Sequence, residues 1–377
     1  MKVLFVEPYE SSLFSFRKEL LDSLINKGYE VYLCIKSTQR IKDEYQTKVA
    51  KIIDVNLNLK NTNILTNLKL KNKYKKIIST FKPDLILSFT IKPNIYCGYY
   101  SKKIPMIANI TGLGNIFKKN GILSKIGILL YRKSFKNVKC IFFQNSACYD
   151  FFVKNKITIN DYRIIPGSGV NTNKFIPKPI NYSGTINFLY PSRAIEEKGF
   201  DILIQAIPHV LDKNKNIHFN FLSAEEDVLA NQKACELFKN SKDFISILPR
   251  TNNMPDVYAA NHFIVAPSFY NEGISNVLLE SLSCERPIIT TIDNPGCMEV
   301  IKDGINGIGV VSNDLTSLIN ALISAANSSI ETITKMGKNG REYVDTFFNR
   351  NDVVNVYHKV IRNFFSATEL EIKDQYE

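Results

Sequence analysis

Four charged side chains in the second half of the chain have the types and spacing for work on an anionic, hydroxyl-bearing ligand. Glu272 and Glu280 stand eight positions apart in NEGISNVLLESL (271–282), the first in a polar turn and the second inside an apolar run. A carboxylate accepts hydrogen bonds and suits sugar hydroxyls. Ser275 or Asn276 is a good helix N-cap, and a helix start offers backbone N–H groups and the positive end of a dipole to phosphate. Two carboxylates flanking such a seat suit a ligand with diphosphate and polyol parts. Upstream, YPSRAIEEKGFDILIQAI (190–207) carries Arg193 and Lys198 five residues apart. Arginine grips phosphate oxygens bidentately, and lysine acts as a point charge. Each cluster alone also has a plain reading. Glu272 then favours a helix start, Glu280 faces solvent, and the cations pair with Glu196 and Glu197.

These residues need a strand, a turn and a helix to position them, and the pattern supplies all three. Short apolar runs at 3–6, 31–35, 51–55, 85–89, 106–110 and 140–144 are nearly continuous in hydrophobicity. Strands buried on both faces of a parallel sheet read this way. Helical stretches lie between them, such as 12–28, where Phe16, Leu20 and Leu24 recur at helical spacing before Gly28. The second half repeats the plan with strands at 186–191, 217–222, 244–248, 262–267 and 287–292. The expectation is α/β: two Rossmann-like doubly wound parallel-sheet domains facing across a cleft. The boundary falls in YRIIPGSGVNTNKFIPKPI (162–180), giving domains of 1–165 and 166–350. The last segment, 351–377, reads as a helix outside the second alternation, packing back on the first domain. Ligands of such sheets gather at the strands' C-terminal ends, where Arg193 and Glu272 fall.

Composition narrows the class. The 377 residues are 45% hydrophobic and 22% charged, which is globular. Seven cysteines form no C-x-x-C pair, as expected in a reducing compartment. The start, MKVLFVEPYE, reads as a strand rather than a signal peptide, and no apolar run approaches the length of a membrane span. A cytoplasmic protein is expected. Charge is uneven: 29 Lys and Arg against 11 Asp and Glu in 1–165, then 19 against 25 in 166–377. The basic half favours an anionic partner or surface, although lysines that merely solvate helix faces give the same count.

Three linked stretches, RAIEEKG (193–199), PSFYNEGISNVLLE (267–280) and RPIITTIDNPGCME (286–299), together resemble glycosyltransferase family 4. The likeness covers most of the second half, from about Gly167 to Glu342, and implies a GT-B fold and a retaining transfer. SFTIKPNIYCGYYSKK (88–103) and NITGLGNIF (109–117) resemble a subgroup that builds bacterial surface polysaccharides. That subgroup includes the α-1,3-N-acetylgalactosaminyltransferase that extends lipid-linked diacetylbacillosamine. Carried over by the resemblance, Arg193 and Lys198 hold the donor diphosphate, Glu272 contacts the donor sugar and Glu280 the ribose. Gly273, Ile274, Ser275 and Asn276 meet sugar and phosphate, and the turn at Pro249 and Arg250 meets the base. The chain has no Asp-x-Asp, so no metal and no cofactor are expected.

Two departures stand out. Many relatives carry a histidine near Thr111, whereas all four histidines here (His209, His218, His262, His358) fall in the second half and read as structural. The first β–α turn, EPYESSLF (7–14), lacks the glycines of many relatives, leaving Ser11 or Ser12 as substitutes. GSGVNT (167–172) reads as a tight turn, and neither it nor TGLGNI (111–116) has the third glycine of a dinucleotide fingerprint. Thr111, Gly112 and Gly114 are candidates for an acceptor-side loop.

FKKNGILSKIGILLYRKSFKNVK (117–139) mixes apolar residues with seven cations. It reads either as a membrane-surface segment or as an ordinary helix with its lysines outward. The implied partners are a nucleotide-sugar donor, a lipid-linked glycan acceptor on undecaprenyl diphosphate, and the anionic inner face of the cell membrane. A UDP-N-acetylglucosamine epimerase of similar architecture is the alternative enzyme, but the acid/base set it needs is not found. A polyanion- or RNA-binding protein is the non-catalytic alternative. No nucleic-acid module is recognisable, and no nucleic-acid partner is expected.

Overall fold

The computed structural model describes residues 1–55, 63–117, 121–249, 251, 253–270 and 273–373. Two compact units emerge, one formed by Met1–Ser168 with the chain from Arg350 onward, the other by Gly169–Asn349.

The first unit carries strands β1 (Lys2–Val6), β2 (Glu30–Ile35), β3 (Lys51–Asp54), β4 (Leu85–Phe89), β5 (Met106–Ile110), β6 (Cys140–Phe143) and β7 (Tyr162–Ile164). All pair in parallel, in the order β3-β2-β1-β4-β5-β6-β7. The second carries β8 (Ile186–Tyr190), β9 (Ile217–Phe221), β10 (Ile245–Ile247), β11 (Phe263–Ala266), β12 (Ile288–Thr291) and β13 (Gly307–Val310), parallel in the order β10-β9-β8-β11-β12-β13. This is the expected α/β arrangement of two doubly wound sheets. In each, the order reverses once, between β1 and β4 and between β8 and β11. Ligands of open parallel sheets bind beyond the strand ends at that switch point.

Period-two alternation explains how both faces of each sheet are covered. On β1, Leu4 and Val6 join Tyr74, Tyr96 and Tyr131 in one core. Val3 and Phe5 face the opposite way, with Leu20, Leu24, Val353 and Tyr357. The final helix, Arg350–Lys373, thus packs on the first sheet beside the helix Lys18–Asn26. In the second unit, Phe188 and Tyr190 join Leu203 and Ile207, while Leu189 joins Leu278 and Leu282 on the other face.

Two strands escape sequence reading. β7 is three residues long and largely exposed at a sheet edge, and β13 is Gly-Ile-Gly-Val, where two glycines in four positions weaken the strand signal. The expected helix over 12–28 is interrupted. A one-turn helix at Glu10–Ser12 leads into a π-helical turn, Leu13–Arg17, before the regular helix begins. Such turns often mark functional sites.

Glu7, directly after β1, is fully buried. Burial pushes its carboxyl from the ordinary 4.5 up to about 7, against the opposing pull of the Arg17 guanidinium, the Tyr9 amide and Ser12. A raised carboxyl pKa means the native state binds the proton more tightly. Its stabilisation is complete below about pH 4.5 and is lost as pH rises to about 7. Glu7→Gln should therefore gain stability relative to the parent chain above neutral pH, by about 3 kcal/mol. Urea unfolding at several pH values checks this, and a constant difference across the range would contradict it.

Candidate active site

The second unit's switch point assembles two loops. The first leaves β8 at Pro191 and reaches the helix Phe200–Lys213 through a 3-10 turn, Glu196–Lys198. The buried Tyr190 hydroxyl donates to the carbonyls of Arg193 (2.8 Å) and Lys198 (3.3 Å). The Ala194 N–H donates to Ser223 Oγ (3.1 Å). The turn ends on Gly199 at φ +75°, where an added Cβ would lie 2.3 Å from the Pro267 carbonyl oxygen. Only glycine satisfies both that backbone angle and that approach.

The second loop leaves β11 at Pro267 and is stitched to the first. The Phe269 N–H (3.0 Å) and the Ser268 hydroxyl (3.3 Å) both donate to the Glu197 carbonyl. Side chains of the 286–299 stretch hold it from the other side. Asn294 Nδ2 donates to the carbonyls of Ser268 (3.0 Å) and Tyr270 (3.1 Å), and the Thr291 hydroxyl donates to Ser268 (2.7 Å).

This stitching brings Arg193 and Lys198 to one aromatic ring. The Lys198 Nζ lies 5.1 Å, and the Arg193 guanidinium carbon 5.8 Å, from the Tyr270 ring centroid. Both are within cation–π range. Tyr270 was not singled out by its type. Its signal was its position, one strand exit away from the cations and just before the carboxylate turn. Glu272 and Arg250 lie outside the described residues.

Beyond the second loop, Gly273, Ile274 and Ser275 are buried, and the helix Asn276–Ser283 starts. Ser275 takes the cap position through its backbone: its carbonyl accepts from Leu278 (3.2 Å), its N–H donates to Gly296 (3.0 Å), and its hydroxyl makes no capping bond. Glu280 is half-buried and accepts from the Tyr258 hydroxyl (3.0 Å), rather than facing solvent as the plain reading expected. Beside the cationic turn lies a cavity of about 380 Å³, lined by residues 223–226 and 247–249. It includes Pro249, and it includes Ser223, the same residue that anchors Ala194.

The acceptor-side candidates belong to the first unit. Thr111 follows β5, and Gly112 and Gly114 have φ of +130° and +69°. His218 contacts the Ser246 hydroxyl, His262 Nδ1 accepts from the Asn187 N–H, and His358 contacts Ser23. His209 is exposed. Among the described residues, no group of three or more His, Cys, Asp or Glu side chains could hold a metal ion.

Gly199→Ala combines an unfavourable backbone angle with a backbone clash. It should cost on the order of 3 kcal/mol and displace Lys198 from Tyr270. Denaturant unfolding measures the loss, and a stability change within experimental error would contradict the stitching.

Residues 185–328 match the family described as glycosyl transferases group 1, and residues 2–145 match the glycosyl transferase 4-like family. One relative is an uncharacterized glycosyltransferase of Methanocaldococcus jannaschii, 29% identical over 72% of this chain and 74% of its own length. Another is the UDP-Gal:alpha-D-GlcNAc-diphosphoundecaprenol alpha-1,3-galactosyltransferase of Escherichia coli, 31% identical over 29% of this chain and 27% of its own length. Among solved structures, HepE of Anabaena in complex with UDP and glucose superposes with a TM-score of 0.76 at 15% identity. That match covers 96% of this chain and all of HepE. Two glycosyltransferase matches, one in each sheet-bearing unit, and a fold shared along nearly the whole chain lead to one conclusion: the chain is a glycosyltransferase of the GT-B type.

Proposed function

We propose that the protein is a retaining, metal-independent glycosyltransferase. It moves a hexosyl or N-acetylhexosaminyl unit from a UDP-linked donor to a lipid-linked glycan in bacterial surface polysaccharide synthesis. The observation that carries this reading is the convergence of Arg193 and Lys198 on Tyr270 at the second unit's switch point. Two cations held by a stitched backbone suit the donor diphosphate. They stabilise the charge that develops as the glycosidic bond breaks, with little reorganisation. The cavity at 223–226 and 247–249 adjoins them, as a base site must, with Pro249 and Arg250 on the base. Gly273, Ile274, Ser275 and Asn276 lie toward sugar and phosphate. Glu272 takes the sugar hydroxyls, and Glu280, oriented by Tyr258, takes the ribose. UDP is favoured because HepE is described with UDP and glucose and the Escherichia coli relative is named for a UDP-galactose donor.

The acceptor belongs to the first unit, with Thr111, Gly112 and Gly114 on its loop. The relative's diphosphoundecaprenol acceptor supports a lipid carrier. So does the helix Ile122–Ser134. Its inward residues are Ser124, Gly127, Tyr131 and Ser134, while Ile122, Leu123, Ile126 and Leu129 are exposed, Ile122 by 78%. Ile128 and Leu130 pack against the core with Tyr131, so the exposed four form a second apolar stripe on the outer side. No helix among the described residues is long and apolar enough to cross a membrane. An outward apolar stripe with Lys125, Arg132 and Lys133 on the same helix suits the surface of an anionic bilayer. Lys118 and Lys119 lie outside the described residues.

Lys198→Ala should lower transfer by roughly 100-fold or more, with little change in thermal stability. Calorimetry with UDP-, GDP- and dTDP-sugars identifies the base, and turnover should persist in EDTA. Silence toward every nucleotide would end this reading. Separately, the chain should co-sediment with anionic vesicles at low salt and detach at high salt. Ile126→Ser with Leu129→Ser should abolish that binding without lowering thermal stability, and unchanged co-sedimentation would remove the membrane assignment.

A further inference from the structure

Two like charges brought to one place repel each other, and the second unit holds such a pair before any ligand arrives. Arg193 and Lys198 come from the loop after β8, and the ring they share comes from the loop after β11. The Tyr270 centroid lies 5.8 Å from the Arg193 guanidinium carbon and 5.1 Å from Lys198 Nζ. Among the described residues, the Arg193 guanidinium forms no ion pair and meets this ring instead.

The ring is placed by its own backbone. The Tyr270 N–H donates to Ser268 Oγ (3.2 Å), and its carbonyl accepts from Asn294 Nδ2 (3.1 Å). Ser268 and Asn294 are both buried, and Asn294 Oδ1 accepts from the Gly296 N–H (2.9 Å). The Tyr270 side chain is half-buried, and its hydroxyl makes no hydrogen bond among the described residues. What the side chain offers its neighbours is therefore the face of the ring.

A ring face differs from a carboxylate as a partner for a cation. A carboxylate cancels the charge, and an incoming phosphate has to displace it. A ring attracts the cation through its quadrupole and carries no net charge, so the positive charge remains for the ligand. Tyrosine also has few torsions to fix, whereas lysine and arginine have many. A fixed ring can thus place two flexible cations without diminishing their field.

We infer that Tyr270 is a positioning residue for the donor diphosphate: its ring places Arg193 and Lys198 in the free protein and acts on the phosphates only through them. This rests on the glycosyl-transfer reading above. Tyr270 does not line the cavity assigned to the base, so its influence is confined to the phosphate end of the nucleotide. The effect grows as the glycosidic bond breaks, because the departing diphosphate gains negative charge.

The test compares UDP with uridine on the full chain, UDP by calorimetry and uridine by competition against it. GDP with guanosine and dTDP with thymidine serve as parallel pairs. Tyr270→Leu keeps an apolar side chain and removes the ring face. It should weaken UDP binding roughly 10-fold, lower kcat at least as much, and leave uridine affinity unchanged. Tyr270→Phe keeps the face and drops the hydroxyl, and should match the parent on every measure. A Leu variant that binds UDP like the parent would overturn the assignment. Equal losses for UDP and uridine would also overturn it, since the ring would then prop the loop or touch the nucleoside. A Phe variant as weak as the Leu variant would do the same by giving the role to the hydroxyl. These three outcomes leave the functional reading standing. A parent chain that binds none of the three diphosphates removes that reading, and the positioning role with it.

Discussion

The site depends on the seam between two loops of the second unit. One backbone carbonyl, that of Glu197, receives both the amide of Phe269 and the hydroxyl of Ser268. The seam closes only because residue 199 has no side chain, so the turn can rest against Pro267. Lysine and arginine are flexible, and holding two of them near one ring costs side-chain entropy. A rigid backbone on both sides reduces that cost before any ligand arrives. Asn294 and Thr291 extend the same logic, tying the second loop to the sheet. The 286–299 stretch is thus a scaffold for its neighbour.

The first unit is built on a different compromise. Its sheet is covered by apolar residues on both faces, yet the strand ends hold buried polar groups. The Ser88 hydroxyl donates to Asn94, Asn94 donates to the Asn109 carbonyl, Asn109 donates to the Ser88 carbonyl, and the Tyr357 hydroxyl donates to Asn109. That network is satisfied, so it rigidifies the strand ends at little penalty. Glu7 and Arg17 lie at the adjoining switch point and are not fully satisfied.

Much of the fold was legible because strands buried on both faces must be almost wholly apolar. β4 and β5 match their apolar runs residue for residue. β7 and β13 do not announce themselves, since an edge strand needs little hydrophobicity and a three-residue strand has no period. The π-helical turn was hidden for a related reason: the apolar spacing through 12–28 is helical on average, and one wider turn leaves it nearly unchanged. In the site, the loops carrying Arg193, Lys198 and Ser275 could be placed at strand ends from pattern alone. Tyr270 could not be given a role, because an aromatic residue in a turn acquires one only from what lies over its face. The same held for the helix Ile122–Ser134. Its composition was amphipathic either way, and only the packing turned Ser124, Gly127 and Tyr131 inward and left Ile122, Leu123, Ile126 and Leu129 exposed.

By itself the sequence determined that this chain is α/β, with two parallel sheets and ligand-type chemistry at strand ends. Hydrophobic periodicity and loop residues act locally, within a few positions of chain. Tertiary structure alone decided which charges meet, which carboxyl is buried and which face of a helix is left uncovered. Those outcomes depend on contacts between residues far apart in sequence, such as Glu197 with Phe269 or Asn109 with Tyr357. No local pattern encodes a distance across a sheet.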